Sequence, residues 1–236
     1  MKITILLAGI PVEIDMNFPD YMPYYEPYIT TEKALGSVSL TRSAIDAAGR
    51  SYKKCKDPIY VEHVELSMLL SDFLLNYDRV FFHGTAFVWR GKAWIITAPP
   101  ETGKTTHFML WKKLWGREVQ ILNGDKPVLE CRDGGITVHP SPWNGKENMG
   151  THLTAPLGGI VILERGEENR IERLGKDAIL PVYAQFLYSA KDPEAVRRVF
   201  ALEDKILRAV PVWRLYTRGD EASARLCHDT IEEVLK

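Results

Sequence analysis

Apolar positions along the chain fall mostly in short strand-like runs up to residue 175, and helical spacing dominates beyond it. Ile3–Ile10 and Ser37–Leu40 read as strands, and the prolines at 11, 19, 23 and 27 mark turns in a β-rich N-terminal subregion. Val61, Val64, Leu66, Met68, Leu69, Phe73 and Leu74 recur at a spacing that predicts an amphipathic helix over 60–77. Val80-Phe81-Phe82 is a short buried-type strand. Two hairpins follow. Ala86–Trp89 and Ala93–Thr97 flank Arg90-Gly91-Lys92, and Val128–Arg132 and Ile136–Val138 flank Asp133-Gly134-Gly135. Between them lie a helix ending at Gly116 and the strand Val119–Leu122. A polar loop over 139–150 and the strand Gly159–Leu163 come next, then helices at about 177–189, 193–209 and 220–235 around the strand Val210–Tyr216. Strands and hairpins around one loop-helix unit, followed by helices, predict an α/β fold on a mixed sheet, not a repeated βαβ unit. The expected organisation is a β-rich subregion plus helix over 1–78 and a main domain over 79–236, built as one compact unit.

The helix after the first hairpin changes the picture from architecture to chemistry. Ala98-Pro99-Pro100-Glu101-Thr102-Gly103-Lys104-Thr105 stands directly after an apolar strand and directly before that helix. Backbone N–H groups at a helix start face an anion, the helix dipole favours its charge, and a lysine reaches the outer phosphates. This is the context of a nucleoside-triphosphate-binding loop, with Ala98, Glu101, Thr102, Gly103, Lys104, Thr105 and Thr106 as its members. Lys104 is the expected phosphate-steering cation, and the Thr105 hydroxyl is the expected Mg²⁺ ligand, a role compatible with capping the helix.

Asp125 ends the following strand, where a carboxylate can hold Mg²⁺ on the β- and γ-phosphates; Asn123-Gly124-Asp125 is also good turn chemistry. His83 ends the strand before the hairpin and is a candidate for proton handling, or a structural histidine. Trp143, Lys146 and Glu147 lie in the Pro/Trp/Gly-rich loop and are candidates for substrate positioning, with packing and solvation as the alternatives. His107 and Trp111 share one face of the loop helix and are expected to pack.

Composition bounds these readings. The chain has 236 residues, 45% hydrophobic and 26% charged, with a formal net charge of −1. That is ordinary globular material, and it provides no broad positive field for nucleic acid or an anionic membrane. The apolar N-terminal run is too short to span a bilayer and has no signal-peptide cleavage pattern. Cys55, Cys131 and Cys227 show neither zinc nor Cys-x-x-Cys spacing, so reduced thiols and a cytoplasmic location are expected.

The order His83-Gly84, hairpin, residues 98–106, Asn123-Gly124-Asp125-Lys126, Pro142-Trp143-Asn144-Gly145-Lys146 resembles the bacterial HPr kinase-like proteins, which share the phosphoenolpyruvate carboxykinase-type nucleotide-binding fold. The resemblance covers about 80–236, including Leu163–Asn169, and is loose before 60. The chain looks like the short stand-alone relatives, some of which resemble kinases that modify ribosomally made peptides. The resemblance implies ATP and Mg²⁺ as cofactors, a serine hydroxyl on a protein or peptide as acceptor, and leaves a homo-oligomer open. By it, His83 matches the histidine that supports the catalytic aspartate, and Asp125 matches the second of two adjacent acids. Two positions depart from the pattern. Gly124 stands where the first acid is usual, and Pro100-Glu101 stands where Ser-Gly is common. These departures favour one alternative, a catalytically weak or inactive nucleotide-binding regulatory module; a small-molecule kinase is a third reading.

Overall fold

The computed structural model describes residues 1–52, 55–99 and 102–236. The chain forms twelve strands and seven α-helices among these residues. At the N-terminus, β1 (Lys2–Leu7) and β2 (Ile10–Asp15) form an antiparallel hairpin turned by Ala8 and Gly9, both at positive φ, and β3 (Ser37–Ser39) lies parallel to β2. The apolar run over 3–10 is therefore a strand plus a turn, and the second strand falls on residues that read as a turn. The short α1 (Met22–Tyr25) precedes β3. After β3, α2 (Arg42–Ser51) and α3 (Pro58–Leu74) pack on each other, and α3 covers β3.

The main sheet system holds β4 (Arg79–Phe81), β5 (Thr85–Trp89), β6 (Lys92–Thr97), β7 (Gln120–Asn123), β8 (Val128–Arg132), β9 (Gly135–His139), β10 (Ala155–Arg165), β11 (Arg170–Leu174) and β12 (Val212–Thr217). Its helices are α4 (Lys104–Trp115), α5 (Ile179–Tyr183), α6 (Pro193–Ala209) and α7 (Glu221–Val234). Hairpin pairs are antiparallel, whereas β10 runs parallel to both β6 and β12, so the sheet is mixed. The long β10 also pairs at its start with β9 and so joins the β4-β8-β9 strands to the rest.

Alternation along the central strands explains the layers. On β6, Ala93 and Ile95 face one core with Ile160 and Ile162 of β10 and Val199, Leu202 and Ile206 of α6. Trp94 and Ile96 face the opposite core with Val161, Leu163, Phe108 and Trp111 of α4 and Cys227 and Ile231 of α7. Both faces are covered by helices, so apolar residues occupy both parities, as a central strand requires. A third cluster joins the N-terminal sheet and α3 to Phe81, Val128 and Trp143. His107 and Trp111 are both buried in the α4 layer, with the indole N–H 3.3 Å from His107 Nε2.

Three other expectations need correction. In the subregion read as strands and turns, Arg42–Ser51 forms a helix capped by Thr41, whose hydroxyl accepts from Ala44 N at 3.2 Å. Replacing such a cap costs about 1 kcal/mol. Thr41→Ala is accordingly expected to lower the unfolding free energy by that amount, read as a lower urea midpoint at an unchanged m-value. The helix placed at 177–189 ends at Tyr183. Beyond it the backbone runs along β4: His83 N donates to Gln185 O at 2.8 Å and Leu187 N to Phe81 O at 3.0 Å. Val182 and Phe186 have helical spacing, but pairing with the exposed edge of β4 satisfies this backbone instead. The antiparallel β11, beside β12, falls where no strand was expected.

Candidate functional site

Strand pairing brings distant sequence positions to one place. The start of β5 lies beside the end of β6, with Thr85 opposite Ile96, and the end of β7 lies beside the start of β5, with Asn123 opposite Ala86. His83, Ala98 and Asp125 each stand one or two residues beyond those strand ends, so all three reach the same end of the sheet. Local hydrogen bonds hold them there. Gly84 N donates to Asp125 O at 2.8 Å, and Thr97 Oγ1 donates to His83 O at 2.7 Å. Asn123 Oδ1 accepts from the backbone N–H groups of Asp125 and Lys126, at 3.0 and 2.7 Å, and so shapes the turn that presents both side chains.

Gly103 starts α4 in the left-handed region, φ 111°, which favours glycine, and it offers no side-chain acceptor to the first N–H groups of the helix. Their positive dipole end faces the turn after β6. Lys104 opens the helix and folds back so that Nζ donates to Ala98 O at 3.1 Å. Thr105 is half-buried in the same turn and Thr106 is exposed. Thr102 N donates to Pro99 O at 3.4 Å. Glu101, with Pro100, lies outside the described residues.

Around Asp125 three positive or polar groups converge. Oδ2 is ion-paired with Lys126 Nζ, and Oδ1 lies 3.5 Å from His83 Nε2. Burial by itself raises the Asp125 carboxyl, but Lys126, by charge and hydrogen bond, and then His83 and Lys104, hold it below the usual carboxylate range. It is an ionised oxygen donor at neutral pH. Burial lowers the His83 imidazole, Lys104 adds to the effect and Asp125 opposes it, so the ring is neutral at pH 7. Burial also lowers the Lys104 ammonium, with Asp125 opposing and Lys126 adding. With His83 neutral, the cluster of Lys104, Lys126 and Asp125 carries one net positive charge, which suits an anion.

The Pro/Trp/Gly-rich loop is split between packing and surface. Trp143 is buried: its indole N–H donates to His63 O at 2.7 Å, and its ring meets Tyr25 and Phe81 edge-on. No face remains for stacking on a base, so packing accounts for this residue. Lys146 and Glu147 are exposed, and a Cβ built on Gly145 would lie 3.6 Å from Glu147 Oε2 and 3.5 Å from Asp125 Cβ, which places Glu147 near the rim of the cluster. Gly124 is enclosed. A Cβ there would stand 2.4 Å from Asn144 O and 3.0 Å from Met149 O.

Lys126, Gln185 and His63 have no role in the sequence reading. Lys126 adjoins Asp125, but only the Asn123-held turn brings both side chains to one cluster. Gln185 meets His83 across 102 positions, Oε1 to Nδ1 at 3.3 Å. His63 is lowered to about 3 by burial, with Lys126 adding, and stacks between Tyr21 and Trp143. No local signal marks such contacts. Two surface grooves, of about 260 Å³ beside Leu75 and Arg198 and about 310 Å³ beside Tyr28 and His152, are lined by none of His83, Lys104 and Asp125.

No protein-family model matches the chain. Among solved structures it is similar to the Hpr(Ser) kinase/phosphatase from Coxiella burnetii, with a TM-score of 0.38 and 10% sequence identity over 65% of this chain and 93% of that one. A likeness this distant carries nothing about residues or chemistry, which rest on the geometry above. No helix among the described residues is long and apolar enough to cross a membrane. Cys55, Cys131 and Cys227 are free thiols.

Proposed function

We propose that the chain binds a nucleoside triphosphate, ATP by the sequence resemblance, at the start of α4 and transfers its γ-phosphate to a serine hydroxyl of a protein or peptide. The observation that carries this reading is the meeting of Lys104, Asp125 and His83 at one end of the sheet beside an open helix start. Lys104 exchanges its bond to Ala98 O for phosphate oxygens, and the N–H groups of α4 take the remaining charge. Lys126 supplies a second cation beside the same carboxylate.

The donor set also fits Mg²⁺ held mainly by the nucleotide. One ionised carboxylate, Asp125, and one hydroxyl, Thr105, are oxygen donors of the kind this ion takes together with substrate phosphates. Among the described residues no group of three or more His, Cys, Asp or Glu side chains is arranged to hold a metal alone. When bound, the ion neutralises charge developing on the β- and γ-phosphates. The hydroxyl oxygen then bonds to the γ-phosphorus, the bond to the β-bridging oxygen breaks with its electron pair leaving on the nucleoside diphosphate, and the hydroxyl proton passes to a protein base. The neutral His83 beside ionised Asp125 is suited to accept it.

Calorimetry with Mg·ATP tests the reading. Lys104→Met is expected to weaken binding about tenfold or more, roughly 1.4 kcal/mol, with an unchanged melting temperature in the absence of nucleotide. Equal affinity in the two proteins rejects the loop as the phosphate site. The enclosed Gly124 favours a second reading, a nucleotide-binding module without transfer, because no acid side chain fits beside Asp125. Tight binding with no turnover on any hydroxyl substrate selects that module.

A further inference from the structure

Lys126 follows Asp125 directly, yet the two side chains meet as an ion pair, Nζ to Oδ2. Neighbours on an extended strand point to opposite faces, so the turn makes this contact. The backbone of Lys126 is held at both its polar groups. Its N–H donates to Asn123 Oδ1 at 2.7 Å and to Trp143 O at 2.9 Å, and its carbonyl accepts from Ser141 Oγ at 2.5 Å. Asn123 and Ser141 are fully buried, and Pro127 O accepts from Phe82 N at 3.0 Å. The Cα of Lys126 is therefore fixed, whereas its ammonium rides on a four-carbon stem that turns about its bonds.

Both oxygens of Asp125 are engaged. Oδ2 is taken by Lys126, and Oδ1 lies 3.5 Å from His83 Nε2. Lys104, the other ammonium of the cluster, donates to Ala98 O instead. A divalent cation and an ammonium on one carboxylate oxygen repel each other, so each excludes the other. An ammonium has three N–H donors and no acceptor, and it leaves a carboxylate readily only where other anionic oxygens take its bonds. A polyphosphate at the start of α4 supplies such oxygens within the same cluster.

We infer that Lys126 is the exchangeable counter-ion of Asp125: it keeps a divalent cation off the carboxylate until the phosphates of a nucleotide arrive, then passes to those phosphates and leaves Asp125 to the ion they carry. The inference rests on the nucleotide-binding reading above, and it makes ion and polyphosphate binding cooperative. Lys126 then acts with opposite sign on two ligands, opposing a lone cation and favouring a polyphosphate. A lysine that served only the turn would do neither, because the backbone bonds of residue 126 do not use its side chain.

Two titrations of the nucleotide-free protein test this: Mn²⁺ alone, followed by electron paramagnetic resonance, and inorganic triphosphate in metal-free buffer, followed by calorimetry. Lys126→Met is expected to bind Mn²⁺ about tenfold more tightly than wild type and triphosphate about tenfold more weakly. Adding Asp125→Asn to Lys126→Met is expected to remove the gained Mn²⁺ binding. Lys126→Gln tests the same two signs if the methionine variant does not fold. An Mn²⁺ affinity or a triphosphate affinity equal to that of wild type overturns the inference, and so does Mn²⁺ binding that survives the loss of Asp125. A wild-type protein that binds neither triphosphate nor Mg·ATP overturns the functional reading instead, while a raised Mn²⁺ affinity in Lys126→Met leaves the competition for Asp125 standing by itself.

Discussion

Gly124→Asp is expected to destabilise the protein by about 3 kcal/mol and to lower the melting temperature by about 6–12 °C, with no gain in phosphate transfer. The sequence resemblance to HPr kinase-like proteins makes this substitution look like the restoration of a missing acid. The geometry says otherwise, because a Cβ at 124 would stand 2.4 Å from Asn144 O and 3.0 Å from Met149 O. Both obstacles are backbone, which moves only with its loop. That loop is tied down at Trp143, whose O accepts from Lys126 N at 2.9 Å and whose buried ring fills the N-terminal core. It is tied again at Asn123, whose Nδ2 donates to Ser141 O at 3.1 Å. Moving the loop away from residue 124 therefore also disturbs the turn that presents Asp125. Gly124→Ala separates space from charge and is expected to lose nearly as much stability as the aspartate. Thermal melts of both variants beside a transfer assay decide the matter. An aspartate variant as stable as wild type and faster in transfer sinks this account.

The same position shows what a single sequence can and cannot disclose. His83 and Asp125 are legible because each sits where an apolar strand gives way to turn chemistry, and Lys104 because it opens the helix after the Gly103 turn; strand ends meet whenever hairpins pair in register. The alternation of β5 and β6 and the helix after the loop were legible for similar reasons: the period of the pattern is local. Gly124 looked like an absence because the carbonyl that excludes a side chain belongs to Asn144, 20 positions later in a polar loop. Lys126 and Gln185 were hidden in the same way. α2 escapes the sequence pattern because it buries only Ile45 and Gly49, too narrow a stripe to register as a period. The segment after Tyr183 reads as a helix because its apolar spacing is helical, whereas pairing with the edge of β4 determines its conformation.

Glu203→Gln is expected to stabilise the protein by about 2–3 kcal/mol at pH 8 and to have no effect at pH 4. Glu203 lies on α6, is only 2% exposed, and its Oε1 has no hydrogen-bond partner. Burial raises its carboxyl from the ordinary 4.5 to about 7, against the opposing backbone N–H of Tyr183. The sign follows from proton counting. Between pH 4.5 and 7 the folded chain holds a proton on Glu203 that the unfolded chain has released, so stability falls as pH rises through this window. Below it both states are protonated and the cost disappears; above it the folded state carries a buried charge and the cost is complete. Glutamine keeps the shape and carries no charge, so it removes the pH-dependent part alone, and every other titrating group cancels in the comparison with wild type. Urea midpoints of both proteins at pH 4 and pH 8 measure the difference directly. A stabilisation equal at the two pH values rejects the buried charge as its cause.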